Sequence, residues 1–406
     1  MISIAIMGHG VVGSGVSEII TTHKNKLFTA LGEEIDIKYI LDLRDFPDHP
    51  LADRFTKDFE TIVNDVDIRV VAEVMGGLHP SYEYVKRCLE AGKSVVTSNK
   101  ELVAAHGAEL LAIAKENNAN FLFEASVGGG IPIIRPMDQC LVANNVDEVA
   151  GILNGTTNYI LTKMDQEGME FDEALAKATE LGYAEADPTA DIEGLDAGRK
   201  MAIMGSIGFH SRIVFDDVYT EGITHITSKD IKYAKDMDCV IKLLGIARNT
   251  PTGIEVRVHP TLINKEHPMA SVNDVFNAVF VHGDAVDDTM FYGRGAGEMP
   301  TASAVVGDVI EVARNINGGC LGRFGCTCFK ELPIKSIGDI ESKYFMRMIV
   351  SDCAGVLGNV ASILGNNHVS IEKIIQKPAG CDKAEIVAIT DSVQEKNFKA
   401  ALQTLN

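Results

Sequence analysis

The sequence predicts a mixed α/β protein with more than one core: a parallel-sheet unit, then an α+β unit, then a small β-α-β-β-α unit. Three observations carry this prediction. Short apolar runs alternate with helix-patterned stretches up to about residue 130. A glycine-rich turn follows the first run, and the rhythm changes after Gly130 and again after a Gly- and Cys-rich stretch near residue 320. With 406 residues, 46% of them hydrophobic, the chain can bury two or three cores.

Residues 3–7 read as a strand, and Val16, Ile19 and Ile20 fall at helical spacing after the glycines. Residues 35–41, 70–74, 94–97 and 120–124 are strand-like, while 81–91 and 102–117 carry helix patterning. Such alternation implies right-handed crossovers and a parallel sheet covered on both faces. We assign residues 1–130 to this unit. Residues 131–299 form the second, with helices expected at 171–181 and 192–209. A small-residue helix at about 300–316 is expected to return to the first unit, and 317–342 reads as a connector. Residues 343–406 run strand (344–350), helix (355–364), strand (369–376), strand (385–390), helix (394–405), a split β-α-β pattern.

The formal charge of −20 opposes binding to polyanions, because affinity for phosphate backbones comes from lysine and arginine displacing counterions. Nucleic acid and anionic membrane are therefore not expected as partners. No apolar run approaches the roughly 20 residues that span a bilayer, and Met1-Ile2-Ser3-Ile4 leads directly into strand-like sequence, so a cytoplasmic protein is expected. Eight cysteines without a regular spacing read as reduced thiols, Cys326 and Cys328 being the only close pair.

Gly8-His9-Gly10-Val11-Val12-Gly13 sits between a strand and a helix, the context in which G-x-G-x-x-G binds a dinucleotide in a Rossmann-type fold. The first glycine permits a tight turn, the second lets backbone amides approach a pyrophosphate, and the third lets helix and strand pack closely. At the end of the second strand, Asp42 suits the ribose 2′-hydroxyl of NAD and Arg44 the 2′-phosphate of NADP. A solvated loop start accounts for both equally well, so NADP or NAD stays open here.

Asp196 and Lys200, four apart in a helix pattern, project from one face. An exposed pair of this kind is worth only a few tenths of a kcal/mol. Glu185, Asp187 and Asp191, however, crowd the approach to that helix, and Gly194 with Gly198 keeps it slim enough for another backbone to come close. A carboxylate-lined approach to one lysine points to a site.

Four further motifs accompany these residues in order: Ser98-Asn99-Lys100; Glu124-Ala125-Ser126-Val127-Gly128-Gly129-Gly130-Ile131-Pro132; Asn154-Gly155-Thr156-Thr157-Asn158; and Gly182-Tyr183-Ala184-Glu185-Ala186-Asp187-Pro188 running on to Asp196-Ala197-Gly198-Arg199-Lys200. Over about 320 residues the chain resembles the homoserine dehydrogenases, NAD(P)-dependent enzymes that interconvert L-aspartate 4-semialdehyde and L-homoserine in threonine, methionine and isoleucine biosynthesis. The resemblance implies Lys200 as general acid/base, Asp196 orienting it, Lys100 as a second catalytic or cofactor-contacting lysine, and Glu185 with Asp191 at the substrate. It places the cofactor against Gly8, Gly10, Val11, Val12, Gly13, Arg44, Ser98, Lys100 and Gly297, the last in the run Gly293-Arg294-Gly295-Ala296-Gly297. It also implies a monovalent cation such as sodium at Glu124, Val127, Gly129 and Ile131, held mainly by backbone carbonyls, where a glycine hinge is the competing reading. A homodimer or higher homo-oligomer, joined through the second unit, is the family expectation.

Asp352-Cys353-Ala354-Gly355-Val356-Leu357 resembles the ACT domain, a ferredoxin-like module that binds amino acids, and implies L-threonine as an effector. A module that only pairs subunits is the alternative. The chain stops at Asn406, directly after the second helix, so the final strand of such a module is expected to be missing and one sheet edge open. Two rival readings share much of this pattern: a dehydrogenase of another small amino-acid aldehyde, and a non-catalytic sensor of dinucleotide and amino acid. The second leaves Asp196 and Lys200 unexplained.

Overall fold

The computed structural model describes every residue except Phe324, Cys381 and Asn406, so the reading of Cys381 as a reduced thiol and of Asn406 as the chain end lies outside the described residues. The first sheet begins with β1 (Ile2–Met7), whose six residues are all buried, as a central parallel strand requires. After it come α1 (Val11–Thr22), α2 (Lys24–Leu31), β2 (Ile35–Leu41), β3 (Phe55–Thr56), α3 (Phe59–Val63), β4 (Ile68–Glu73), α4 (Ser81–Glu90), β5 (Ser94–Thr97), α5 (Lys100–Glu116) and β6 (Phe121–Leu122). The strand order β3-β2-β1-β4-β5-β6 reverses direction between β1 and β4, and open α/β sheets bind ligands at that point. The strand expected at 120–124 covers only two residues, because Glu124–Ser126 turns into a short 3-10 helix.

The second unit contains β7 (Val146–Ile152), α6 (Gly155–Glu167), α7 (Phe171–Glu180), α8 (Thr189–Ile192), α9 (Leu195–Phe209), β8 (Tyr219–Thr220), α10 (Ser228–Asp236), β9 (Cys239–Thr250), β10 (Gly253–Asn264), β11 (Phe276–Gly283) and β12 (Asp287–Arg294). Its strands form one mixed sheet, β12-β11-β7-β9-β10-β8. Sequence patterning did not locate this sheet, because β9 is buried on both faces and loses the alternation that marks a strand. Alternation survives in the packing: Leu243 joins the core under α6 and α9, whereas Leu244 joins Ile152, Ala278 and Phe280 on the opposite face. The helix expected over 192–209 begins at Leu195, because Gly194 adopts φ +78° and separates it from the short α8.

Helix α11 (Glu298–Asn317) returns to the first sheet and shares a core with β1, β2, β4 and α1. A Cβ on Gly15 of α1 would lie 2.9 Å from the Cβ of Ala302, so the two helices meet nearly backbone to backbone. The tail consists of β13 (Glu341–Ser342), β14 (Phe345–Ser351), α12 (Val356–Asn366), β15 (Ile371–Pro378), β16 (Lys383–Thr390), β17 (Val393–Gln394) and α13 (Glu395–Leu405). Its antiparallel sheet runs β14-β16-β15, with β13 and β17 paired separately. Helices α12 and α13 cover one face through Val360, Leu364 and Phe398. At α10, Arg347 Nε donates to Asp230 Oδ1 at 2.6 Å and the Tyr233 hydroxyl donates to Glu385 Oε2 at 2.7 Å. The seven described cysteines are free thiols, and no described helix is long and apolar enough to cross a membrane.

Helix α1 meets the turn after β1 tightly at Gly13, where a Cβ would sit 2.0 Å from the carbonyl oxygen of Gly8. Gly13→Ala is therefore expected to push α1 off β1 at a cost of about 1–3 kcal/mol. A thermal melt followed by circular dichroism checks this, with an unchanged melting curve as the contrary result.

Candidate active site

The turn after β1 is shaped for an anion. Gly8 has φ +99°, which a side chain would disfavour, and its amide closes the turn onto Leu41 O at 2.8 Å. A Cβ on Gly10 would meet open space, and no side chain caps α1, so the amides of its first turn, from Val11, Val12 and Gly13, face a surface a phosphate can reach. Thus the cradle suits a dinucleotide. Gly297 caps α11 close by, where Ser14 Oγ of α1 donates to Glu298 Oε1 at 2.9 Å.

Asp42 and Arg44 do not compete for a ribose; they bind each other. Asp42 Oδ1 accepts from the Arg44 amide and Nε at 2.9 and 3.0 Å. Asp42 Oδ2 accepts from the His9 amide and from Arg44 Nη2, both at 2.9 Å. Arg44 holds the Asp42 carboxyl well below the usual carboxylate range, although partial burial opposes it. Both residues line a cavity of about 260 Å³ with Phe55, Thr56 and Lys57.

Across the switch point, β5 ends at Thr97, Ser98 follows, and Asn99 caps α5 by accepting from the Leu102 amide at 3.1 Å. This places Lys100 at the first turn of α5, facing α9. Lys100 Nζ lies 2.7 Å from Asp196 Oδ1, and Lys200 Nζ lies 2.7 Å from Asp196 Oδ2. Lys200 also donates to the Leu153 carbonyl at 2.8 Å. Its ammonium has three N–H groups, so one is left over. The Asn154 side-chain amide donates to Asp191 Oδ1 at 2.7 Å and to Asp196 Oδ2 at 3.0 Å. Lys200 is 10% exposed and Lys100 37%, so Lys200 forms the floor and Lys100 the rim.

Burial and the neighbouring ammonium of Lys100 lower the Lys200 pKa, against the pull of Asp196. For Lys100, burial is outweighed by Asp196, and its pKa is raised. Asp196 stays ionised because the two lysines outweigh its own burial, while burial lifts Asp191. Glu185 is exposed and makes no hydrogen bond or ion pair among the described residues, so the structure does not join it to this cluster.

Glu124 is 2% exposed, and its carboxylate is filled by protein donors: the amides of Ile133, Ile134 and Arg135 at 2.6, 2.8 and 2.8 Å, and Arg135 Nε at 3.3 Å. Any cation here must rely on carbonyl oxygens of the turn that carries Val127, Gly129 and Ile131. That turn is closed by the Ile131 amide on Gly128 O at 2.8 Å, and Gly129 packs onto Gly295, whose oxygen would be 2.2 Å from an added Cβ.

Residues 8–124 match the NAD-binding domain of homoserine dehydrogenase, residues 132–310 match homoserine dehydrogenase, and residues 344–406 match the ACT domain. The homoserine dehydrogenase of Bacillus subtilis (strain 168) is 44% identical over 414 positions, which cover 100% of this chain and 95% of that protein. The chain belongs to the homoserine dehydrogenase family. A solved homoserine dehydrogenase from Thiobacillus denitrificans has TM-score 0.93 at 38% identity, covering 100% of this chain and 94% of that one. A hyperthermophilic archaeal homoserine dehydrogenase in complex with NADPH has TM-score 0.66 at 27% identity, covering 77% of this chain and 97% of that one.

As a homoserine dehydrogenase the chain is an oxidoreductase of amino-acid biosynthesis that uses a nicotinamide cofactor, with homoserine and aspartate semialdehyde as its substrates. Reading the sequence missed two groups of this site. Asn154 stood in the sequence only as the first residue of the Asn154–Asn158 motif, with no role of its own, and the Leu153 carbonyl has no side-chain signature at all. Glu73 was missed as well: buried at the end of β4, it accepts from Thr97 Oγ1 at 2.6 Å and from the Met75 amide at 2.8 Å, and burial raises its pKa. Asn154→Ala removes the α6 cap to the Thr157 amide together with both carboxylate bonds. The expected loss exceeds the ~1 kcal/mol of an ordinary cap; a chemical denaturation curve indistinguishable from that of the unaltered enzyme would contradict it.

Proposed function

We propose that this enzyme reduces L-aspartate 4-semialdehyde reversibly to L-homoserine with NADP(H), and that Lys200 is its general acid/base. One observation supports the lysine assignment above others: a buried ammonium with two of its three N–H groups spent on Leu153 O and Asp196. In reduction, the nicotinamide supplies hydride to the aldehyde carbon, and charge develops on the oxygen. The remaining N–H of Lys200 suits that oxygen and can pass it a proton. In oxidation, a neutral Lys200 keeps its two donor bonds and turns a lone pair to the hydroxyl of homoserine. One geometry therefore serves both directions, with Asp196 orienting the amine and Lys100 keeping a positive charge at the rim.

In this reading Asp191 and Glu185 hold the substrate ammonium. The cofactor meets Gly8, Gly10, Val11, Val12, Gly13, Ser98, Lys100 and Gly297. NADP is favoured over NAD because all the acceptor positions of Asp42 are taken by Arg44 and the His9 amide, whereas Arg44 Nη1 and the exposed Lys57 line the same cavity and suit a 2′-phosphate. A sodium ion held by carbonyls of Glu124, Val127, Gly129 and Ile131 would brace the turn against residues 294–297. The units are 1–130 with 300–316, 131–299, a connector at 317–342 and the ACT unit at 343–406, with a homodimer formed through the second. Threonine binding by the ACT unit is supported by the uncapped first turn of α12 behind Gly355, which suits a carboxylate.

Lys200→Ala is expected to lower kcat by about 10²–10⁴-fold while leaving NADPH binding nearly intact; stopped-flow turnover and cofactor fluorescence measure the two, and near-normal turnover sinks the assignment. Homoserine oxidation needs neutral Lys200, so its rate should rise with pH and level off below the ~10.4 of a solvated lysine. The signs for its neighbours are opposite. Asp196→Asn removes the carboxylate that raises the Lys200 pKa and moves the inflection down, whereas Lys100→Met removes the ammonium that lowers it and moves the inflection up. Shifts in the same direction would exclude Lys200 as the titrating group. Arg44→Ala should reduce the NADP-to-NAD ratio of kcat/KM, and saturating threonine should slow the reaction; an unchanged velocity removes the regulatory reading alone.

A further inference from the structure

Helices α5 and α9 are clasped at one end and parted at the other. The clasp is Lys100 with Asp196 and Lys200. Farther along, the stripe that carries Lys100 on α5 continues as Ala104, Gly107 and Leu111, and the stripe that carries Asp196 and Lys200 on α9 continues as Ile203 and Ile207. These residues line a cavity of about 250 Å³, separate from the glycine cradle. Phe121 and Phe123 extend its apolar wall. For comparison, an apolar cavity of roughly 150 Å³ already admits benzene.

One end of the cavity is charged and short of positive partners. Asp308, from α11, is 1% exposed: its Oδ2 accepts the Glu124 amide at 2.9 Å, while its Oδ1 accepts no hydrogen bond and has Arg135 Nη2 at 3.4 Å. Arg135 also faces the Glu124 carboxylate, so one guanidinium serves two buried carboxylates. Asp138 and Glu311 line the cavity as well, and Arg212 and Arg323, its other cations, are exposed at the surface. A buried acceptor without a donor inside an apolar chamber is costly unless a ligand completes it.

We propose that this cavity is a second ligand site, selective for a compact apolar molecule bearing an ammonium group, with the hydrocarbon between α5 and α9 and the N–H groups on Asp308 Oδ1. A neutral hydrocarbon would gain the burial but leave Asp308 Oδ1 without a hydrogen bond, and a carboxylate ligand would face Asp138, Asp308 and Glu311. A ligand wedged between the two helices bears on the Lys100 clasp, so occupancy alters turnover. Only this last effect rests on the assignment of Lys200; binding does not.

The test is calorimetric titration of the full-length enzyme with cyclohexylammonium, with cyclohexanol as the neutral control. Saturable binding of the ammonium, at least ten-fold tighter than cyclohexanol, is expected. Ala104→Leu, which fills the chamber without touching a charged group, should weaken binding at least ten-fold, and Asp308→Asn should abolish the preference for the ammonium. Equal affinity for the two probes, or unchanged binding by the Ala104→Leu enzyme, overturns the site. Binding with no change in kcat overturns the coupling to the active site and leaves the site itself standing.

Discussion

The structure turns on one carboxylate shared by two ammonium groups. Asp196 is buried, and its two oxygens face lysines from different parts of the chain: Lys100 from the helix after the fifth parallel strand, and Lys200 from its own helix. Removing one partner from such a buried cluster leaves uncompensated charge, which typically costs about 3–5 kcal/mol. The pair across the two units is therefore a structural tie and an electrostatic device at once. It positions α9 against α5, and it gives the two lysines opposite tendencies, with the buried one eased toward neutrality and the rim one held charged.

Everything around the tie serves its geometry. Asn154 starts α6 with its carbonyl oxygen and steadies Asp191 and Asp196 with its amide, so the end of β7 and the start of a helix are locked to the site. The Leu153 carbonyl takes a second Lys200 proton and removes rotational freedom from a long side chain. Glu124 does similar service one layer back, where its carboxylate gathers three consecutive amides and an arginine. In doing so it fixes the turn that leads from the first sheet into the second unit, and that turn packs onto Gly295 from the end of β12.

The tail reaches the same framework from outside. Its sheet meets α10 through Arg347, Asp230, Tyr233 and Glu385, and α10 packs beside α6 and β9, whose other neighbours include the lysine-bearing helix. A physical path of packed elements thus runs from the ACT sheet to Asn154. Contiguity of this kind permits coupling but does not by itself supply two states.

What the sequence by itself determined was chiefly local. The glycine turn after β1 was legible because close approach and positive φ admit almost no other residue at Gly8 and Gly13. The pairing of Asp196 with Lys200 followed from helical spacing, and the parallel sheet from the alternation of short apolar runs with helices. Tertiary structure alone decided the rest, because those features depend on which surfaces meet. The mixed sheet of the second unit was hidden where burial on both faces of β9 erased its period. The partnership of Lys100 with Asp196 joins positions 96 residues apart, and the capture of Asp42 by Arg44 depends on how one loop folds back. The Leu153 carbonyl belongs to every residue type alike, so no side chain could announce that it would hold the lysine at the centre of the site.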